Sequence, residues 1–357
     1  MDPETHFPAD YRSARHAFLT ASDRLDVTTR VHPEARGPDG KPLFMDVAEI
    51  GARKAKAALL LMSATHGAEG YFGSGVETGL LREGALVPPK GSKIVVLHAV
   101  NPYGFAWDRR VNEDNADINR NFVDFANPPK NEAYAQLAEW VAPKDISREA
   151  IREANAHLRA FSDMHGAFAL QTAISAGQYT HPDGVYFGGS KESWSSRMLR
   201  DVLKEHLRGV KELIVIDFHT GLGEAGAAEM ITEDLPGSPA YERQKAIWGA
   251  RVKSSEAGES LSAPLTGTID TAFARWLPKV ELTFAALECG TRPTRDVFNA
   301  LRKDNWLHQI AGNTNNADAD AIRRETRDAF YVDTPEWKRR VWAHGAEVVQ
   351  QALNAMG

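Results

Sequence analysis

The sequence predicts an α/β fold in which helices cover both faces of a β-sheet. The first observation is a set of four short apolar runs bounded by Gly, Pro and polar residues, which is typical of strands buried on both faces. The second is that segments with helical periodicity separate these runs along the chain. The third is that the chain contains no repeat and no Gly/Ser linker, so residues 1–357 are expected to form a single domain.

The predicted elements begin with a helix over residues 11–21, in which Ala14, Phe18 and Leu19 fall on one side. Residues 44–50 alternate in polarity and are expected to form an edge strand. The four buried strands are expected at residues 57–63, 93–99, 212–218 and 282–287. Further helices are expected at residues 74–82, 132–140, 148–162, 193–207, 241–255, 296–310, 318–330 and 336–355, the last with the start signal Thr334-Pro335-Glu336.

The composition limits the classes of function. The chain has 357 residues, 43% of them hydrophobic and 25% charged, as in ordinary globular proteins. A formal net charge of −6 argues against electrostatic binding to nucleic acid or to an anionic membrane. The sequence contains no apolar run of transmembrane length, and its acidic start Met1-Asp2-Pro3-Glu4 is not expected to act as a signal peptide. Its one cysteine, Cys289, excludes an internal disulfide. We therefore expect a soluble protein, with the cytoplasm as the favoured location. A monomer and a homo-oligomer are both compatible with the sequence.

A His and a Glu three residues apart follow the first buried strand, in the turn Thr65-His66-Gly67-Ala68-Glu69-Gly70. Both side chains can point at one metal ion, and catalytic zinc usually has three protein ligands and one open position. The plainer alternative is that His66 caps an element and Glu69 is a solvated charge. His219 follows a second buried strand, and ligands gather at the carboxyl ends of strands in open α/β sheets, so we expect it to be the third ligand.

Glu288 ends the last buried strand and is the best candidate for a catalytic base. A metal with an open position polarises a carbonyl and activates water, and a separate carboxylate is needed to take the proton of that water. An ion pair of Glu288 with Arg292 or Arg295 is the alternative, and it does not exclude the catalytic role. Residues 109–122 form a loop rich in Arg, Asn and Asp, and arginines of this kind can bind carboxylates or stabilise an oxyanion.

These motifs resemble those of the M14 zinc carboxypeptidases, and most closely those of the bacterial branch described as DUF2817. The resemblance spans roughly residues 10–355, with agreement in the order, type and approximate separation of the motifs. The residues that carry it are His66-x-x-Glu69, Asn101-Pro102-x-Gly104, Arg110-x-Asn112, Asp117-x-Asn119-Arg120-Asn121-Phe122, His219 and Glu288, together with residues 70–74 and 177–184.

The resemblance implies a mixed, mostly parallel eight-stranded sheet between helices, and one zinc ion per chain. The implied zinc ligands are His66, Glu69 and His219. The other implied roles are general base for Glu288, stabilisation of the oxyanion for Arg110, orientation of the first zinc histidine for Asp117, binding of a substrate carboxylate for Asn119 and Arg120, and a place inside the specificity pocket for Ile269.

We therefore expect a zinc-dependent amide hydrolase, in which water activated at the metal and by Glu288 attacks the amide carbonyl of a small peptide with a free carboxylate. One departure is Ser262, which stands where digestive carboxypeptidases carry a mobile tyrosine. The Asn-Pro-x-Gly and Asp-x-His-Thr segments also resemble the succinylglutamate desuccinylase and aspartoacylase branch, so an N-acyl amino acid deacylase is the alternative. A non-catalytic ligand-binding protein is a third hypothesis, and such a protein has no need of Glu288.

Overall fold

The computed structural model describes residues 2–312 and 316–357, and its described strands form one mixed sheet. The strands are β1 (Asp26–Arg36), β2 (Pro42–Gly51), β3 (Ala57–Met62), β4 (Lys93–His98), β5 (Glu212–Thr220), β6 (Ala228–Thr232), β7 (Val252–Ser254) and β8 (Glu281–Cys289). Their order across the sheet is β1-β2-β4-β3-β5-β8-β6-β7. The pairs β3–β4, β3–β5, β5–β8 and β6–β7 are parallel, and the other neighbours are antiparallel. The expected mixed, mostly parallel eight-stranded sheet is confirmed.

The helices connect these strands and also follow the last one. They are α1 (Tyr11–Ala21), α2 (Gly70–Arg82), α3 (Pro102–Ala106), α4 (Glu132–Val141), α5 (Arg148–His165), α6 (Ala167–Ser175), α7 (Trp194–His206), α8 (Pro239–Trp248), α9 (Ile269–Trp276), α10 (Thr294–Gln309), α11 (Ala317–Phe330) and α12 (Pro335–Ala355). Within the described residues, no helix combines the length and apolar character needed to cross a bilayer. Helix α12 begins at its predicted signal, with the Thr334 side chain accepting a hydrogen bond from Trp337 N.

Apolar side chains cover both faces of the sheet. In the central strand β3, Leu59 and Leu61 belong to one hydrophobic cluster, whereas Leu60 and Met62 belong to another. Successive side chains of a strand point to opposite faces, so β3 is buried on both sides, as its continuous apolar run predicted. Helices α2 and α12 contribute to the first cluster, and α7 and α9 contribute to the second.

Three local predictions were wrong or incomplete. The segment 44–50 is not an edge strand, because β1 pairs outside it, with Thr28 opposite Val47. Strand β1 was not predicted, since most of its residues are polar and it includes Pro33. The helix expected over 241–255 ends at Trp248, where Gly249 takes a φ of 62°, and the chain then continues into β7.

Candidate metal centre and its cavity

The carboxyl ends of three neighbouring parallel strands lie at one edge of the sheet. Strand β3 leads into a 3-10 turn over Gly67–Glu69, while β5 ends at Thr220 and β8 ends at Cys289. In the register of β5 with β8, His219 lies opposite Glu288. The fold therefore brings His66, Glu69, His219 and Glu288 from distant parts of the sequence to one place.

His66, Glu69 and His219 are the one group of three metal-ligand side chains that converges within the described residues. His66 Nδ1 lies 2.9 Å from Glu69 Oε1 and 3.2 Å from His219 Nδ1. His219 Nδ1 lies 3.0 Å from the other carboxylate oxygen, Glu69 Oε2. Ligand atoms about 2.0–2.1 Å from a tetrahedral zinc lie about 3.3 Å apart, so both the spacing and the N/O donor set suit that ion.

A buried aspartate holds the far ring nitrogen of each histidine. His66 Nε2 lies 3.1 Å from Asp117 Oδ1, and His219 Nε2 lies 2.8 Å from Asp217 Oδ2. When Nε2 donates to a carboxylate, Nδ1 carries the lone pair that a metal needs. The role of Asp217 was not predicted, although its position two residues before His219 puts both side chains on one face of β5.

Arg110 lies against the same group. Its Nε donates to Asp117 Oδ2 over 2.9 Å, and one terminal nitrogen donates to Glu69 Oε1 over 3.0 Å. Its other terminal nitrogen lies 2.9 Å from His66 Nε2. An arginine only donates, so this last contact needs a lone pair on Nε2, whereas binding of a metal through Nδ1 needs a proton there. His66 Nε2 cannot be protonated and unprotonated at once, so binding of a metal through Nδ1 would replace the contact between Nε2 and Arg110.

Close backbone packing holds the His66–Glu69 turn. A Cβ at Gly67 would lie 1.9 Å from the carbonyl carbon of Gly104, so only glycine fits there. Gly67 N donates to Arg110 O, and Asn101 caps α3 by accepting from Gly104 N and also donates to Arg110 O. The Asn-Pro-x-Gly segment therefore joins the turn to the loop that carries Arg110 and Asp117.

Glu288 lines the cavity beside the metal centre with only 7% of its surface exposed. Its Oε1 accepts a hydrogen bond from Leu222 N over 2.8 Å. Burial raises the pKa of the Glu288 carboxyl to about 8, and the negative charge of Glu69 contributes. A cation at the centre would act in the opposite direction. The ion pairs considered as an alternative are absent from the described residues: Arg292 donates to Asp328 O, and Arg295 pairs with Asp296.

Asn119 and Arg120 also line this cavity, but both side chains have partners in the protein. Asn119 Oδ1 accepts from Ile269 N over 3.0 Å. Arg120 donates twice to Ser175 O and once to Asn119 O. These contacts use three of the five N–H groups of the guanidinium, so two remain to bind a carboxylate.

Ile269 lies elsewhere than expected. Its side chain is 1% exposed and packs in the hydrophobic cluster that contains Leu60 and Met62 of β3, outside the lining of the cavity. It begins α9, and a step of one residue at a helix start turns a side chain away by about 100°. The neighbouring Asp270 and the departure residue Ser262 line the cavity instead.

Tyr186 also faces the cavity, and no sequence motif pointed to it. Its φ of 54° is rare for a bulky side chain, and such strain concentrates at ligand-binding sites. The guanidinium carbons of Arg110 and Arg120 lie 5.3 and 5.9 Å from the centre of its ring. A cation over an aromatic ring is attracted to it, so Tyr186 helps to position both arginines.

The metal centre opens into a cavity of about 760 Å³, within the usual size of small-molecule sites. One wall is formed by α5, α6 and the start of α10. Another consists of residues from β6, β8 and the start of α9, including Ile231, Glu233, Phe284 and Asp270. The cavity combines apolar surface with convergent charged groups.

Several solved structures are similar to this chain. An aspartoacylase family protein from Mesorhizobium loti is 17% identical, with 80% of this chain and 68% of that chain covered and a TM-score of 0.41. A succinylglutamate desuccinylase from a Silicibacter species is 17% identical, with coverages of 81% and 67% and a TM-score of 0.40. Carboxypeptidase A from Helicoverpa armigera is 12% identical, with coverages of 95% and 74% and a TM-score of 0.43.

The family comparison covers nearly the whole chain. No curated protein sequence matches it. Residues 7–344 match the model of the family described as "Protein of unknown function (DUF2817)". The expected membership is confirmed, and the protein belongs to the DUF2817 family.

Proposed function

We propose that this protein is a zinc-dependent amide hydrolase with one zinc ion per chain, held by His66, Glu69 and His219. The observation that carries the proposal is the convergence of two Nδ1 atoms and a carboxylate, with each far ring nitrogen held by a buried aspartate. Three such ligands leave a position free for water or substrate, which is the usual arrangement of catalytic zinc.

The remaining residues supply the proton transfers and the charge stabilisation. Bound zinc would polarise the amide carbonyl and increase the acidity of a water molecule. Leu222 N holds Glu288 Oε1, so Oε2 takes the proton of that water and delivers it to the departing nitrogen. Burial of the carboxyl favours its protonated form and a bound cation would favour its ionised form, and these opposite effects suit a group that must both accept and donate a proton. Arg110, beside the ligands, donates to the developing negative charge of the carbonyl oxygen.

The substrate is an amide that carries a carboxylate. The free N–H groups of Arg120 and the amide nitrogen of Asn119 are the proposed contacts for that carboxylate. A small peptide is the first candidate. An N-acyl amino acid is the second, because the Asn-Pro-x-Gly segment and the Asp-x-His-Thr segment, in which Asp217 contacts His219, both resemble those of the deacylase branch. Ile269 is withdrawn from the substrate contacts, since its side chain lies in the core.

The decisive experiment measures metal content and hydrolysis together. Elemental analysis of the purified protein should give about one zinc per chain, and His66→Ala should lose it. His181→Ala is the matched control and should keep its zinc, since His181 lies outside the cavity lining. A panel of dipeptides and acylated amino acids then separates the two substrate classes. A wild-type protein that binds no metal after incubation with zinc would contradict the proposal.

A further inference from the structure

Helix α5 turns its cations toward the cavity. Arg148, Arg152 and Arg159 line the cavity together with Asn155 and Leu158. Arg152 is four residues from Arg148 and seven from Arg159, and Asn155 is three residues after Arg152. These spacings place the side chains on one face of the helix. The acidic residues of the same helix, at positions 149, 153 and 163, are outside the lining. The helix therefore separates its charges, with the positive side toward the cavity.

These arginines have few partners. Arg148 and Arg159 make no ion pair or side-chain hydrogen bond within the described part of the chain. Arg152 lies 3.6 Å from Glu149, but its side chain is 77% exposed, and exposed pairs of this kind contribute little. Arg295 of α10 also lines the cavity and is 80% exposed. Its helix meets α5 where Arg302 donates to Asn155 Oδ1 over 2.7 Å. We call the cavity-facing residues Arg148, Arg152, Arg159 and Arg295 the arginine wall.

The arginine wall is not a consequence of the overall charge, because the chain carries a net charge of −6. The acidic side chains that line the cavity belong to other elements. They are Glu69, Asp217 and Glu288 at the metal centre, and Glu233 and Asp270 at β6 and α9. The charged side chains of α5 that line the cavity are all positive, and a surface of one sign attracts ligands of the opposite sign. The wall therefore favours anionic groups on whatever enters along α5.

We propose that the arginine wall binds the carboxylates of an extended acidic peptide, in addition to the single carboxylate assigned to Arg120 and Asn119. Guanidinium groups bind carboxylates through two parallel hydrogen bonds. Arg148 and Arg159 are eleven residues apart on α5, or about 16 Å along the helix at 1.5 Å per residue. An extended peptide covers that distance with roughly five residues. This length favours a peptide over a single acylated amino acid. Hydrolysis of the bound peptide rests on the proposed function, whereas binding of the peptide to the wall does not.

The test compares two peptides that differ only in charge. The pentapeptides acetyl-Glu-Glu-Glu-Glu-Ala and acetyl-Gln-Gln-Gln-Gln-Ala are given to the zinc-loaded wild type, to the double variant R152Q/R159Q and to Arg53→Gln. Arg53 is the control because its side chain is 93% exposed and lies outside the cavity lining. Kd by calorimetry and kcat/KM by product analysis are measured separately. The wild type and the control should prefer the acidic peptide by roughly tenfold, and the double variant should lose most of this preference.

The outcomes separate the inference from the proposed function. Equal binding of both peptides by the wild type, or an unchanged preference in the double variant, would overturn the arginine wall as a binding site. Charge-selective binding without hydrolysis of either peptide supports the arginine wall and contradicts cleavage of small peptides, the first of the two proposed reactions. A melting temperature of the double variant equal to that of the wild type shows that a loss of binding is not a loss of folding.

Discussion

Charges at the metal centre are buried and paired, whereas charges on the arginine wall are exposed and either have no described partner or pair at the surface. His66 and His219 each contact a buried aspartate, and Arg110 contacts two carboxylates. Arg148 and Arg159 contact no described partner. Burying a charge without a partner costs free energy of folding, so the buried groups of the centre must be held by their partners in the folded protein. Exposed arginines stay hydrated until a ligand arrives. The rigid, paired centre suits the proposed chemistry, and the exposed wall suits the proposed binding of a charged ligand.

The largest expected effect comes from Glu288 at the centre. Glu288→Gln keeps the shape of the side chain but removes the carboxylate that we propose as the group exchanging protons with water and the departing nitrogen. We expect kcat to fall by about 10²- to 10⁴-fold while zinc content is unchanged. Cys289→Ala is the control, since Cys289 is buried in the core next to Glu288 and should not affect turnover. Substantial hydrolysis by Glu288→Gln would remove Glu288 from the mechanism.

A smaller effect is expected where a carboxylate holds a histidine. Asp217→Asn should weaken zinc binding by about 10- to 100-fold, because the charge that fixes the His219 ring is lost. Competition with a chelator measures this affinity. Asp114→Asn is the control, since Asp114 is on the same loop as Asp117 but is 46% exposed and pairs with Lys191. An unchanged affinity in Asp217→Asn would mean that backbone packing alone positions His219.

The centre was more predictable than the wall, for physical reasons. Strands β3, β4, β5 and β8 contain short apolar runs, and the His66–Glu69 turn lies within seven residues of the end of β3, so both follow from local sequence. The sequence signal for Asp217 was present in its spacing from His219. Strand β1 was not predicted, because a polar, exposed edge strand lacks the apolar pattern.

The wall depends on tertiary packing. Residues 148–162 were predicted as a helix, but the face that turns toward the cavity is set by contacts such as Leu158 with α4 and α6. Ile269 and Asp270 show the same dependence at the level of one residue, since the exact start of α9 decides which of them reaches the cavity. Periodicity predicts a helix, whereas its rotation about its own axis requires knowledge of its neighbours.

The smallest expected effect concerns Glu233, a buried acidic group on the side of the cavity formed by β6 and α9. Glu233 and Asp270 face the cavity, and Thr268 Oγ1 donates to Glu233 Oε2 over 3.0 Å. Burial raises the pKa of Glu233 to about 9, and Asp270 and Glu256 add to the rise, while Thr268 and the Arg120 cation oppose it. The folded protein therefore holds the Glu233 proton more tightly than the unfolded chain, whose ordinary pKa is 4.5. This contribution to stability is complete below pH 4.5 and is lost as the pH rises toward 9.

Glu233→Gln removes the loss of stability that accompanies ionisation of Glu233 at high pH, because an amide stays neutral at every pH. The melting temperature of the variant minus that of the wild type should be near zero at acidic pH and should rise by a few degrees, about 2–4 °C for each kcal/mol, as the pH approaches 9. Scanning calorimetry across this range measures the difference. Glu212→Gln, at an exposed position at the start of β5, should show no such trend. A difference that stays flat with pH would mean that Glu233 is ionised in the folded protein, and the acidic side of the cavity would then be as fully charged as the arginine wall.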